Sequence, residues 1–332
     1  MKMSVPPKLK RGDTIAVFSP SAPATATAKE RYARAKRFLQ GKGFAIYEGK
    51  LTGRQEHYRS GSIRERAEEF NELVKNPEVQ CIMAAIGGMN TNSILPYVDY
   101  DAVREHPKII VGYSDVTALL LAIYAKTGLT TYYGPAMVAS FGELPPFVED
   151  TYRYFSEILC GACPCPYQFP TPPYWTDEYI DWKVQDRGKE KTPNALVTVR
   201  PGVARGRLIG GNLDTLQGIW GTGYMPAIRQ GDILLIEDAR KDCATIERSF
   251  SLLKLSGVFD TIGGLLLGKH EGFDDQGTNR RPWEILTEVI GACDFPILAG
   301  FDCCHTHPML TMPIGAEIEL DAGRKSVTLV CE

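Results

Sequence analysis

A serine that follows an apolar strand and opens a helix stands where a nucleophile can work. The segment KIIVGYSDVTALLLAIY supplies that arrangement at Ser114. A sharp strand-to-helix turn lifts such a side chain above the sheet, and the first amides of the helix face the same space. Those amides can stabilise a developing oxyanion. The same residues also read as a plain helix start, with Ser114 as N-cap and Asp115 in the first turn. A GxS lacking the second glycine leaves both readings open.

A serine nucleophile needs a base, and the base needs an orienting acceptor. The chain has five histidines: His57, His106, His270, His305 and His307. The last two lie in DCCHTHPMLTMPIG, a loop between strand-like segments that could face another domain across a cleft. Glu237 ends the apolar run ILLIE, where a charge is costly unless it is paired. It also reads as a surface acid in a turn with Asp238. A metal centre is the competing chemistry. Cys160, Cys163 and Cys165 form one cluster, and Cys303, Cys304, His305 and His307 another. Pro164 and Pro166 interleave the first, and no second CxxC completes four ligands. No metal and no cofactor are expected, and the nine cysteines read as mostly reduced thiols.

The elements that must position these residues alternate. Strand-like runs at 14–20, 44–49, 81–86 and 108–113 are interleaved with helical periodicity at 28–41, 62–76 and 115–128. This pattern predicts parallel βαβ units. Sites in such sheets form beyond the carboxyl ends of the strands, where Ser21, Gly87-Gly88 and Ser114 all fall. From Gly206 onward strands are expected at 232–238, 261–269, 295–301 and 317–322, with helices at 245–257 and 282–293. The fold class is therefore α/β: a parallel-sheet domain over 1–160, a connection over 161–205, and a smaller mixed α/β domain over 206–332. A helix is expected near 147–159, and the connection after it reads as a long loop or hairpin with many prolines and the aromatics Tyr167, Phe169, Tyr174, Trp175, Tyr179 and Trp182. Long ordered loops of this kind are disproportionately functional.

Composition narrows the function classes. A net charge of -3 gives no basic footprint for nucleic acid. No run of 18 apolar residues exists to span a membrane. The opening MKMSVPPKLKRGD lacks the apolar core of a secretory signal, so a cytoplasmic protein is expected.

Taken in order, LKRGDTIAVFSPSAP, GYSDVTALL, GGNLDTL, LLIEDARKDCATIERSF and HTHPMLTMPIG resemble the LD-carboxypeptidase family of serine peptidases. The resemblance covers nearly the whole chain. It implies a parallel α/β domain joined to a smaller swivelling domain, a homodimer, and a Ser-Glu-His triad. By motif the nucleophile is Ser114, the acid Glu237, and the base His305 rather than His307. Backbone amides of Gly88 and Asp115 would form the oxyanion hole. Gly88, lacking a Cβ, lets its amide approach substrate closely; it reads equally as a post-strand turn.

Two branches of the family are relevant. One removes terminal D-alanine from murein tetrapeptides. The other resembles the microcin C immunity peptidases, which cleave an aminoacyl group from a sulfamoyl- or phosphoramidate-linked nucleotide and so confer antibiotic resistance. PPYWTDEYIDWK, IGGMNTNSILPYVDYD and EDARKDCATIERSFS look like the second. The partner implied is a small molecule, an aminoacyl nucleotide or short peptide. Trp182 could stack on its base, worth about 1–3 kcal/mol, or anchor the loop by packing. Trp175 is the second stacking candidate. Arg240 and Lys241 could neutralise a phosphate, sulfamate or carboxylate, or form a solvated pair. Asn212 could orient substrate or satisfy a turn. Outside the class stand a non-catalytic two-domain binding protein and a zinc hydrolase using His305 and His307.

Overall fold

Short apolar runs bounded by glycine or polar residues make the strands, and the helices between them return the chain for a parallel pairing. A computed structural model describes residues 3–161 and 165–330. Five parallel strands, Ala45–Glu48, Thr14–Phe18, Cys81–Ala84, Ile109–Gly112 and Thr131–Tyr133, lie in that order across the first sheet. The helices Lys29–Gly41, Ile63–Lys75 and Thr117–Thr127 connect them. Ile63–Lys75 begins on the capping box of Ser62 and Glu65, which satisfies two amides at the helix start.

The second sheet has eight strands built around one long one, Val203–Asn212. Its first half pairs antiparallel with Glu317–Asp321, and its second half parallel with Ile233–Glu237. Gly264–Gly268 and Ile297–Phe301 continue the parallel part. The parallel register sets Asn212 directly beside Glu237. The chain is thus a two-domain α/β protein, the class expected. Among the described residues no helix is long and apolar enough to cross a membrane.

Several boundaries differ for identifiable reasons. The helix expected over 115–128 starts at Thr117, because Ser114–Val116 form a tighter 3-10 turn first. The helix expected over 245–257 starts at Cys243, since the Asp242 side chain caps the Thr245 amide at 2.7 Å. The helix expected over 282–293 ends at Ile290, ahead of Gly291 with φ 74°. Several strands were not anticipated, among them Val197–Arg200 and the three-residue Thr131–Tyr133 and Met312–Ile314. Three residues are too few to carry a period of two. Met312–Ile314 leaves the second domain and pairs antiparallel with Thr131–Tyr133 at the edge of the first sheet.

The connection is anchored by a buried ionic cluster. Arg31, 1% exposed, meets the fully buried Glu143 at 2.9 Å. It also donates to the carbonyls of Val138 and Ala139 and to Gln185 of the connection, whose amide in turn reaches Glu143. The Trp182 ring lies on the Arg31 guanidinium, 4.6 Å from its carbon. Removing one member of such a buried pair leaves the other charge uncompensated. Arg31→Ala is expected to destabilise the protein by about 3–5 kcal/mol, read as a lower urea midpoint at unchanged slope.

Candidate active site

Ser114 leaves its strand with a left-handed backbone, φ 61°. For a residue with a Cβ this conformation costs about 1–3 kcal/mol and persists only where the surroundings impose it. The helix-cap alternative does not hold: no side chain caps the turn at Tyr113 or the helix at Val116. The Ser114 carbonyl instead accepts the Thr117 hydroxyl at 2.6 Å. Its amide donates to the Tyr133 hydroxyl at 3.2 Å.

Gly87 packs against this turn. A Cβ there would lie 2.8 Å from the Ser114 Cβ and 2.9 Å from the Asp115 nitrogen. Gly88, at φ 153°, would place a Cβ 2.2 Å from the Ser21 hydroxyl. Ser21 accepts the amides of Met89 and Asn90. The Asp115 carboxylate takes the amides of Asn90 and Thr91, both at 2.9 Å, and the Thr91 hydroxyl at 2.7 Å. Asp115 therefore ties down the loop that carries Gly88 over Ser114, a role its sequence position did not disclose.

Glu237 has no solvent access. One carboxylate oxygen meets His305 Nδ1 at 2.7 Å. The other accepts the Tyr133 hydroxyl and, at 3.2 Å, the Asn212 amide. Burial opposes the charge of Glu237, yet His305, Tyr133 and Asn212 hold its carboxyl below the usual range. Burial likewise opposes a charged His305, but Glu237 outweighs it and raises the imidazole above its ordinary value. His305 also stands edge-on to the Tyr113 ring, centroids 4.8 Å apart.

His307 meets a different carboxylate, although it borders the same cavity as His305. It is 3.7 Å from Glu143, and burial first, then Lys189, pushes it down to about 3, so it is neutral at pH 7. Among the described residues no group of three His, Cys, Asp or Glu converges to hold a metal. Cys163 lies outside the described residues. Cys165 is disulfide-bonded, while Cys160, Cys303 and Cys304 are free thiols. Burial raises the Cys304 thiol to about 12, which keeps it protonated.

Ser114 and His305 line two adjoining cavities, and no hydrogen bond joins their side chains in this structure. Such bonds are commonly long without substrate. The first cavity, about 310 Å³, is bordered by Gly88, Asp115, Asn212, Asp238 and Lys241. Lys241 is held by Asp214 at 2.7 Å, and Asp238 is raised to about 6 by burial and by Glu237. Asn212 caps the short helix Leu213–Gln217 as well as touching Glu237, so both of its readings are present at once. The second cavity, about 440 Å³, is bordered by Trp182, Arg240, Lys189 and His307. Arg240 lies over the Tyr179 ring, 5.0 Å from its centroid. Arg240 and Lys241, adjacent in sequence, thus face different cavities. Trp175 lines neither; it borders a third cavity with Lys269 and Trp283.

Residues 15–134 match the LD-carboxypeptidase N-terminal domain and residues 205–320 the LD-carboxypeptidase C-terminal domain. The chain belongs to the LD-carboxypeptidase family. It is a hydrolase of the serine-peptidase type. Among its relatives is the microcin C7 self-immunity protein MccF of Escherichia coli, 55% identical over 96% of this chain and 93% of that protein. MccF in complex with aspartyl sulfamoyl adenosine superposes with TM-score 0.96 at 54% identity, covering 98% of both chains. MccF with glutamyl sulfamoyl guanosine gives the same TM-score at 53% identity and the same coverage.

The residue absent from the sequence analysis is Tyr133. Its one signal is a tyrosine hydroxyl in an apolar run, TTYYGP, which must find a partner if buried. The packing of Gly87 yields a direct check. Gly87→Ala is expected to lower kcat/KM roughly 100-fold through displacement of Ser114, with a melting temperature close to that of the parent. Steady-state kinetics beside thermal melts would measure both.

Proposed function

We propose that this LD-carboxypeptidase-family enzyme hydrolyses the amide-type bond joining an aminoacyl or peptidyl group to a modified nucleotide. Ser114 attacks the acyl carbon, and His305 takes its proton through Nε2. The tetrahedral oxyanion lies against the amides of Gly88 and Asp115, each worth roughly 3 kcal/mol to the transition state. His305 returns the proton to the departing nitrogen, leaving an acyl-Ser114. Water, deprotonated by His305, then releases the acid. Glu237 fixes the Nδ1–H tautomer and stabilises the imidazolium.

The observation that carries this reading is the pairing of Glu237 with His305, which lines with Ser114 a cavity that Trp182 also borders. Hydrolysis alone does not call for an aromatic plane there; a nucleobase does. MccF, so similar in fold and sequence, is found with aminoacyl sulfamoyl nucleotides. Lys241 and Asn212 in the first cavity suit an acidic aminoacyl group, and Arg240 in the second suits the anionic linker. Residues 1–160 bring the nucleophile, 161–205 the stacking loop, and 206–332 the acid and base. The same reading makes the enzyme a cytoplasmic homodimer that protects a cell from nucleotide-type microcins.

Purified protein incubated with aspartyl sulfamoyl adenosine is expected to release aspartate, and Ser114→Ala to lose roughly 10⁶-fold in kcat. D-alanine release from a murein tetrapeptide, with the nucleotide conjugate untouched, would overturn the substrate assignment.

The pH dependence has a definite sign. The base must be neutral, and its proton affinity is raised, so kcat/KM is full at high pH and falls as pH drops through a midpoint above about 6.5. Glu237→Gln removes the raising charge. Its acid limb is expected to move to lower pH while the maximal rate drops by up to about 10⁴-fold.

A further inference from the structure

Tyr133 is buried without solvent access and touches all three segments that carry the proposed triad. Its backbone pairs with Gly112 of the nucleophile strand on one side. On the other side it pairs with Met312, which follows the His305 loop. Its carbonyl accepts the Cys303 thiol at 3.4 Å, two residues before His305. Its hydroxyl donates to Glu237 Oε1 and accepts the Ser114 amide at 3.2 Å.

We propose that Tyr133 is a positioning residue, acting through Ser114 and Glu237 to hold nucleophile and acid in catalytic register across the two domains. The proposal rests on the assignment of Ser114, Glu237 and His305 above. The geometry gives the hydroxyl two duties. It holds the Ser114 amide, the amide of the residue at φ 61°, so that the left-handed turn has a partner inside the protein. It also donates to the Glu237 oxygen that His305 does not use. A donor on that oxygen withdraws charge from the carboxylate and so limits how basic His305 becomes. Because the Ser114 amide is bonded to Tyr133, the oxyanion is left to Gly88 and Asp115. A phenol is suited to this place: burial, then Glu237, drives its ionisation far upward, so it remains a donor at every working pH.

The other charged or titratable groups facing this centre are Asp238, Glu271, His307 and Tyr113 toward His305, His270 and Cys304 toward Glu237, and Cys303 and Tyr113 toward Tyr133. None is hydrogen-bonded to the Tyr133 hydroxyl, so a change there isolates its effect.

The test is Tyr133→Phe, with kcat and KM for aspartyl sulfamoyl adenosine measured across pH. The expected result is a kcat lowered roughly 10- to 100-fold, a KM within about twofold, and an acid limb displaced to higher pH. A space-filling role would leave that limb in place. Tyr133→3-fluorotyrosine keeps the shape and the hydroxyl with a stronger donor; it is expected to fold as the parent and to move the limb to lower pH. A kcat within twofold in Tyr133→Phe, or an acid limb unmoved in both variants, overturns the proposal. Failure of the underlying assignment has a separate signature: an active Ser114→Ala protein.

Discussion

Glu237 is a carboxylate sealed from water at the end of a strand whose other residues are apolar. An ion in such a place is tolerated only when its oxygens are fully engaged. Here one oxygen holds His305 and the other holds Tyr133 and Asn212. The three partners come from three separate stretches of chain, so the carboxylate cannot be satisfied until both domains and the returning strand Met312–Ile314 are in place. The Glu237–His305 pairing and the closure of the fold are the same set of contacts. An ionised Glu237 in turn keeps His305 basic and fixes which of its nitrogens carries the proton.

Close approach of the domains makes this possible. Gly211 would drive a Cβ to 2.8 Å from Thr117 and 3.1 Å from the Tyr133 ring. With no side chain there, the Asn212 amide reaches the Thr117 hydroxyl at 3.0 Å, and that hydroxyl bonds the Ser114 carbonyl. The second domain thus touches the nucleophile turn through two hydrogen-bond routes, Asn212–Thr117 and Glu237–Tyr133. The helix Thr117–Thr127 is buried nearly throughout, as an element covered on both sides must be.

Around this centre the cleft separates its tasks. The cavity toward Lys241, Asn212 and Asp238 is small and polar, and its ionic groups are already paired or near their protonation midpoint. The cavity toward Trp182 and Arg240 is larger, and its tryptophan rests on a guanidinium that is itself locked to Glu143. The connection is therefore tied to the first domain by buried charge through Gln185 and Trp182, and to the second sheet by Val197–Arg200, which pairs with Ile297–Phe301.

The sequence by itself determined the parallel strands, whose apolar runs exceed three residues, and the turn at Ser114, because a strand ending in Gly-Tyr-Ser-Asp before an apolar helix has few other conformations. It also flagged Glu237, since a charge after four apolar residues is a local anomaly. It left Ser114 poised between nucleophile and cap, and it separated His305 from His307 only through family resemblance. Tertiary structure bears on those points: φ 61° with no capping bond at Ser114, a 2.7 Å contact from His305 to Glu237, and a different carboxylate, Glu143, beside His307. It alone revealed Tyr133, the parting of Arg240 from Lys241, and the crossing of Met312–Ile314 into the first sheet. Each of these depends on pairing between residues tens to hundreds of positions apart. Local periodicity and residue chemistry carry no record of such pairings; only the packed chain, satisfying every buried polar group at once, selects them.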